Sequence, residues 1–203
     1  MRKEFFDRCA QDWKEPAKDK MEIIQKHIIP LLELKNGESV LDVCGGTGVL
    51  IPVLKEAGVK ITECDYSPNM VERAKKLYPG QASFFVGNIE QLPFEDGGFD
   101  KIICHNSLPH IEDKNKAFKE CARVLKNGGI FVISHNGGKK EIDLHHRNCH
   151  EAVKNDMMPS NQDIMKFASC AGFGTVEILD EEKYFAVDRK STRLNSSHWL
   201  TSR

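Results

Sequence analysis

No charge of either sign predominates in this sequence: 29 Lys and Arg stand against 30 Asp and Glu, a formal net charge of −1. Chains that neutralise nucleic-acid phosphates usually carry a basic excess, so the balance argues against a nucleic acid as partner. Nor is there an apolar run approaching the roughly 20 residues that a membrane-spanning helix needs. The start, Met1-Arg2-Lys3-Glu4-Phe5-Phe6-Asp7, lacks the apolar stretch of a secretory signal, so a cytoplasmic protein with no membrane span is expected. The seven cysteines, at 9, 44, 64, 104, 121, 149 and 170, include no C-x-x-C pair. That pattern predicts reduced thiols rather than a disulfide framework or a zinc ribbon. Internal repeats are missing, and 203 residues suit one domain with a sizeable core. No heptad or apolar stripe fixes an oligomeric state.

What is present is an alternation of short apolar runs and amphipathic stretches. Met21 to Leu34 carries apolar residues at helical spacing, with Pro30 set to kink or end the helix. Five β-rich runs follow, at 39–43, 59–64, 82–86, 99–104 and 129–134. Helical stretches separate them: Val49 to Ala57 closed by Gly58, Ser67-Pro68 to about Leu77, and Lys114 to Leu125. A polar, histidine-rich stretch occupies 139–158, a helix is expected over Asn161 to Cys170, and Thr175 to Leu179 with Lys183 to Val187 reads as a hairpin. The predicted fold class is α/β: a Rossmann-like, doubly wound, seven-stranded sheet, mostly parallel with an antiparallel edge hairpin, helices on both faces. Residues 1–188 form the single domain. Residues 189–203 break the pattern, resemble translated vector sequence, and are expected to be a non-native, irregular tail.

The chemistry concentrates where the first β-run meets Cys44-Gly45-Gly46-Thr47-Gly48. Glycines let backbone approach a ligand, and in doubly wound sheets ligands sit beyond the carboxyl ends of the strands. Asp65 ends the second β-run, 23 residues past Asp42, about where an acid accepts from ribose hydroxyls. The dinucleotide pattern fails, because Ile51 stands where its third glycine belongs, and no GK[ST] phosphate loop exists.

Val40-Leu41-Asp42-Val43-Cys44-Gly45-Gly46-Thr47-Gly48 resembles motif I of the class I S-adenosylmethionine (SAM)-dependent methyltransferases. Asp65 with Tyr66-Ser67-Pro68-Asn69-Met70, Gly87-Asn88-Ile89-Glu90-Gln91-Leu92-Pro93-Phe94, Phe99-Asp100 and Ala122-Arg123-Val124-Leu125-Lys126-Asn127-Gly128-Gly129 follow in the family's order. The chain is most similar to the branch containing the menaquinone and ubiquinone C-methyltransferases and many small-molecule enzymes. The resemblance implies SAM as cofactor, with Asp42 and Cys44, Gly45, Gly46, Thr47 and Gly48 near its methionine part. It also implies Asp65 on the ribose, Tyr66 or Met70 against the adenine, Asn88 and Ile89 at the adenine edge, and His105 nearby. Two positions depart from the family: Cys44 replaces the first motif glycine, and Asn88 replaces a frequent Asp.

On the acceptor side, the ends of the fourth and fifth β-runs bring His105 and His135 to one rim. Histidine titrates near neutrality, so these two are the candidate catalytic bases. Trp13, His110, His145, His146 and His150 are expected around a substrate pocket, under a cap at 139–158. Residues 1–35, with Phe5, Phe6 and Trp13, resemble an N-terminal lid. No metal is expected. If 145–150 were helical, however, His145, His146, Cys149 and His150 would form i,i+4 pairs suited to a transition metal. Asn106-Ser107-Leu108-Pro109 lacks the [DN]-P-P-[YF] that the resemblance would require for nucleobase amino groups, which favours a small-molecule acceptor. A nicotinamide-dependent oxidoreductase and a non-catalytic SAM-binding module remain as alternatives.

Overall fold

The computed structural model describes residues 2–13, 16–182 and 185–190. Helix α1 is Arg2–Cys9 and α2 is Lys18–Ile23. Because Pro30 has no N–H to give the α-helical ladder, α2 passes through a π turn, Ile24–Ile28, into a 3-10 turn, Ile29–Leu32. It stops at Glu33, where φ is 47°. The strands are β1 Ser39–Val43, β2 Lys60–Asp65, β3 Ser83–Val86, β4 Phe99–His105, β5 Leu125–His135, β6 Thr175–Asp180 and β7 Phe185–Lys190. Helices α3 Ile51–Glu56, α4 Pro68–Leu77, α5 Lys114–Val124, α6 Lys139–Arg147 and α7 Asn161–Cys170 connect them.

The strands form one sheet in the order β3-β2-β1-β4-β5-β7-β6. From β3 to β5 all neighbours are parallel, as crossover helices dictate; β7 runs antiparallel to both β5 and β6. The strand order reverses between β1 and β4, and the carboxyl ends of those two strands are where such a sheet opens a ligand crevice. Strand alternation supplies two cores. Leu41, Val43, Ile102, Cys104 and Phe131 point to one face, where Phe118 and Cys121 of α5 and Ile164 and Ala168 of α7 cover them. Val40, Ile61, Ile103 and Val132 point to the other, against Ile24, Ile28 and Leu32 and against Ile51 and Leu54 of α3.

Several boundaries differ from expectation: β5, expected at 129–134, already starts at Leu125, where the preceding helix was expected to end. The helix expected from Val49 begins at Ile51, since 44–50 are taken up by the turn. Arg189 and Lys190, expected in an irregular tail, end β7 by pairing with Phe131 and Ile130. From 191 onward that tail lies outside the described residues. Local signals in α4 hold in detail: Ser67 caps the helix by accepting from the Met70 N–H at 3.2 Å, with Pro68 in the first turn.

Candidate functional site

At the β1/β4 crevice lies a cavity of about 420 Å³. Cys44, Gly45, Gly46, Thr47, Asp65, Tyr66, Met70, Asn88, Ile89 and His105 line it, so the structure brings together most of the expected cofactor residues. Asp42 and Gly48 do not reach the lining. Gly48 holds the turn itself, at φ 81°, where a Cβ would strike Ile51 at 2.6 Å. Asp65 accepts from the Ser67 N–H at 2.8 Å with Oδ1 and from the Gly46 N–H at 3.0 Å with Oδ2. One carboxylate thus ties the end of β2 to the glycine turn. Burial pushes its pKa up to about 6, and the two N–H donors oppose that rise. Asn88 takes the Glu90 N–H on its amide oxygen at 3.0 Å. That leaves one acceptor position on the oxygen and two donors on the amide nitrogen.

Cys44 occupies the left-handed region, at φ 59°, while its N–H donates to the Cys64 carbonyl at 2.7 Å. That conformation costs an L-residue about 1–2 kcal/mol. Glycine removes the cost but returns part of it through the unfolded chain's greater entropy. Cys44→Gly should therefore raise stability by about 0.5 kcal/mol, read as a higher denaturant midpoint at unchanged slope.

At Gly45 the backbone runs close against two acidic side chains. A Cβ there would lie 2.7 Å from Cγ of Glu63 and 3.0 Å from Cγ of Asp42. These two acids are register partners on β1 and β2, side by side on one face beneath the turn. Both are fully buried, and none of their four carboxylate oxygens has a hydrogen-bond partner. Burial, reinforced by charge neighbours, pushes Asp42 up to about 8 and Glu63 up to about 9. Glu63 was not signalled by the sequence motifs; only its register with Asp42 reveals it.

The strand-end histidines separate. His105 lines the cavity, with Nδ1 2.8 Å from Ser134 Oγ, and burial lowers its pKa to about 4. His135 is buried but off the cavity lining, and burial likewise holds it well below the usual imidazole range. Of the expected acceptor residues, Trp13 and His110 line the cavity, while His145, His146 and His150 do not. The i,i+4 premise for these histidines fails because α6 stops at Arg147, leaving Cys149 and His150 beyond its end. Cys149 Sγ stays 3.4 Å from His145 Nε2, but His146 turns to the ring of His110 and His150 stacks on Phe5. Among the described residues, no group of three or more His, Cys, Asp or Glu side chains is arranged to hold a metal.

Helix α1 roofs the cavity with Arg2, Lys3 and Phe6. Asp7 accepts from the Ser67 hydroxyl at 2.5 Å, and its carbonyl accepts from the Asn69 amide at 3.0 Å. Arg73 of α4 donates to the carbonyls of Ala10 and Trp13 at 2.8 Å, and also to that of Gln11. At the far end, Arg2 reaches Asp156 at 2.5 Å. Asp7, Arg2, Arg73 and Asp156 escaped the sequence reading, since the bonds that tie them together here span 60 or more residues.

Residues 41–133 match the family described as "Methyltransferase domain". A demethylmenaquinone methyltransferase of Paenarthrobacter aurescens is 34% identical over 107 residues, 53% of this chain and 42% of that protein. An O-methyltransferase of Aspergillus sclerotiorum is 29% identical over 185 residues, 83% of this chain and 69% of that protein. The chain thus spans less than half the length of the first of these relatives. Among solved structures, a SAM-dependent methyltransferase from Aquifex aeolicus superposes with a TM-score of 0.74 at 19% identity, covering 92% of this chain and 98% of that one. A methyltransferase from Haloferax volcanii, solved in complex with the Trm112 activator, gives 0.73 at 21% identity, covering 92% and 97%. Residues 41–133 thus carry a methyltransferase domain, and the chain shares the fold of the SAM-dependent methyltransferase from Aquifex aeolicus.

Proposed function

We propose that this protein transfers the methyl group of SAM to a small-molecule acceptor. The observation that carries this reading is one cavity with two unlike walls. On one side are the glycine turn, the Asp65 carboxylate and the apolar seat of Met70 and Ile89; on the other are Phe6, Trp13 and His110. The residues fit the cofactor: Asp65 offers acceptors for ribose hydroxyls, and Met70 and Ile89 offer a flat apolar bed for the adenine. Asp65, ionised above about pH 6, places a negative charge beside the glycine turn, suited to a cationic ligand. SAM supplies an electrophilic methyl group; the chain's residues bind, align and exclude water. The α1 roof favours an acceptor small enough to be enclosed. His105, rather than His135, is the strand-end histidine within reach of the reaction. Kept neutral by burial, it serves as a hydrogen-bonding group more than a proton store.

Calorimetry with SAM, S-adenosylhomocysteine and NADH tests the cofactor half: both sulfur ligands should bind and NADH should not. NADH binding without SAM binding would replace this reading with a nicotinamide enzyme. Methyl transfer from labelled SAM to a panel of thiols, phenols and quinols tests the acceptor half. A protein silent across the panel yet tight for SAM would be a binding module.

A further inference from the structure

A second cavity, of about 580 Å³, adjoins the first. Arg2, Ile111 and Glu112 line both, so the two spaces meet at these side chains. His110 lines the cofactor cavity and Asp156 lines the second, and the two are bonded: His110 Nδ1 lies 2.8 Å from Asp156 Oδ2. A carboxylate can only accept, so Nδ1 carries a proton, and in the neutral ring it is Nε2 that holds the lone pair. The other Asp156 oxygen takes Arg2 of α1 at 2.5 Å. Burial would raise the Asp156 pKa, but the bonds from His110 and Arg2 more than offset it and keep the group ionised.

We propose that His110 and Asp156 are the proton-accepting dyad of the methyl transfer, and that the second cavity admits the acceptor to it. This rests on the methyl-transfer reading above and adds the residue that makes the acceptor nucleophilic. The acceptor's O–H bond breaks, and its proton moves to Nε2 of His110. The electron pair left on oxygen forms the new bond to the methyl carbon, and the carbon–sulfur pair returns to sulfur, leaving neutral S-adenosylhomocysteine. Asp156 stabilises the imidazolium, which then releases the proton to water. His105 is less suited to this work, because Ser134 already engages its Nδ1 and no carboxylate is bonded to it. The walls beside His110 are aromatic: the Phe6 ring lies 5.2 Å from it, and Tyr66 and Trp13 flank Phe6 at 6.1 Å. They fit an acceptor whose hydroxyl is carried on an aromatic ring. Arg2 makes the dyad depend on closure, since the bond to Asp156 forms only with α1 over the cavity.

The test titrates 4-nitrophenol, whose phenolate absorbs visible light, against protein saturated with S-adenosylhomocysteine. Charged and titratable groups around the dyad are Arg2 of α1, Tyr66 after β2, Lys114 of α5, His135 of β5 and His146 of α6. Bound probe should ionise at least one pH unit below free probe. In His110→Gln the ionised fraction should fall at least tenfold, with S-adenosylhomocysteine affinity within threefold of wild type. Asp156→Asn, which keeps the imidazole but removes its charge partner, should lose as much, and it decides the matter should His110→Gln fail to fold. A probe that stays un-ionised or unbound in wild type, or ionises equally in the variants, overturns the dyad. Failure of wild type to bind S-adenosylhomocysteine overturns the methyl-transfer reading instead.

Discussion

Asp65→Ala should lower the affinity for SAM at least about 100-fold, a loss of about 2.7 kcal/mol. The carboxylate lines the cavity, and each oxygen is already oriented by one backbone N–H, from Ser67 or Gly46. Each keeps acceptor capacity for a ribose hydroxyl. Hydrogen bonds to a charged acceptor contribute about 1.5–3 kcal/mol apiece, so losing two is enough for the expected effect before the Gly46 tether is counted. Asp65→Asn separates charge from shape: one acceptor oxygen survives, and affinity should fall by about tenfold. The carboxyl's pKa of about 6 adds a pH signature. The ionised form accepts from the ribose, so affinity should be full above about pH 6. It should fall by up to tenfold per unit below that, a dependence that Asp65→Asn flattens. Calorimetry between pH 5 and 8 reads both effects. Wild-type affinity in Asp65→Ala would remove the ribose assignment.

Asp65 was legible in the sequence because its signal is local: a glycine turn, then an acid at fixed spacing after a strand. The same holds for the Ser67 cap, the strands β1 to β5 and the cavity lining from Cys44 to Thr47. What escaped was set by tertiary geometry. His110 and Asp156 are separated by 46 residues, and Asp156 lies in a polar stretch without periodicity. Nothing local marks it as a partner. Arg2, near the chain's start, meets that same carboxylate only because α1 folds back over the crevice. The histidine cluster failed in the opposite direction. Its spacing suggested a shared helix, but spacing matters only while the helix lasts, and α6 ends before Cys149. Glu63 is an intermediate case. It sits two residues before Asp65, visible but uninterpretable until strand register sets it beside Asp42.

That pairing gives the second large expectation: Glu63→Gln should stabilise the protein. Desolvation, then the charges of Asp42 and Asp65, push the Glu63 carboxyl up to about 9, against 4.5 for the ordinary group. The folded chain therefore keeps a proton that the unfolded chain releases. Stability from this site is fully present below about pH 4.5 and is lost as pH rises toward 9. At pH 7 the loss amounts to about 3 kcal/mol, at about 1.4 kcal/mol per pH unit. Glutamine has nearly the same shape, does not titrate, and can donate an amide N–H to an unpartnered carboxyl oxygen of Asp42. Glu63→Gln should thus gain about 2–3 kcal/mol at pH 7 to 8 and almost nothing at pH 4.5. Denaturant midpoints across that range measure it. A slope should remain in the variant, because Asp42, raised to about 8 by burial and by Asp65, still takes up a proton on folding. Since Glu63 is mostly protonated near pH 7, the neutral amide should leave SAM affinity there within about threefold, with divergence appearing only as pH approaches 9. Equal stability of variant and wild type at pH 8 would mean that the two acids reach water or a cation in solution, and that the floor of the site is not the sealed acid pair described above.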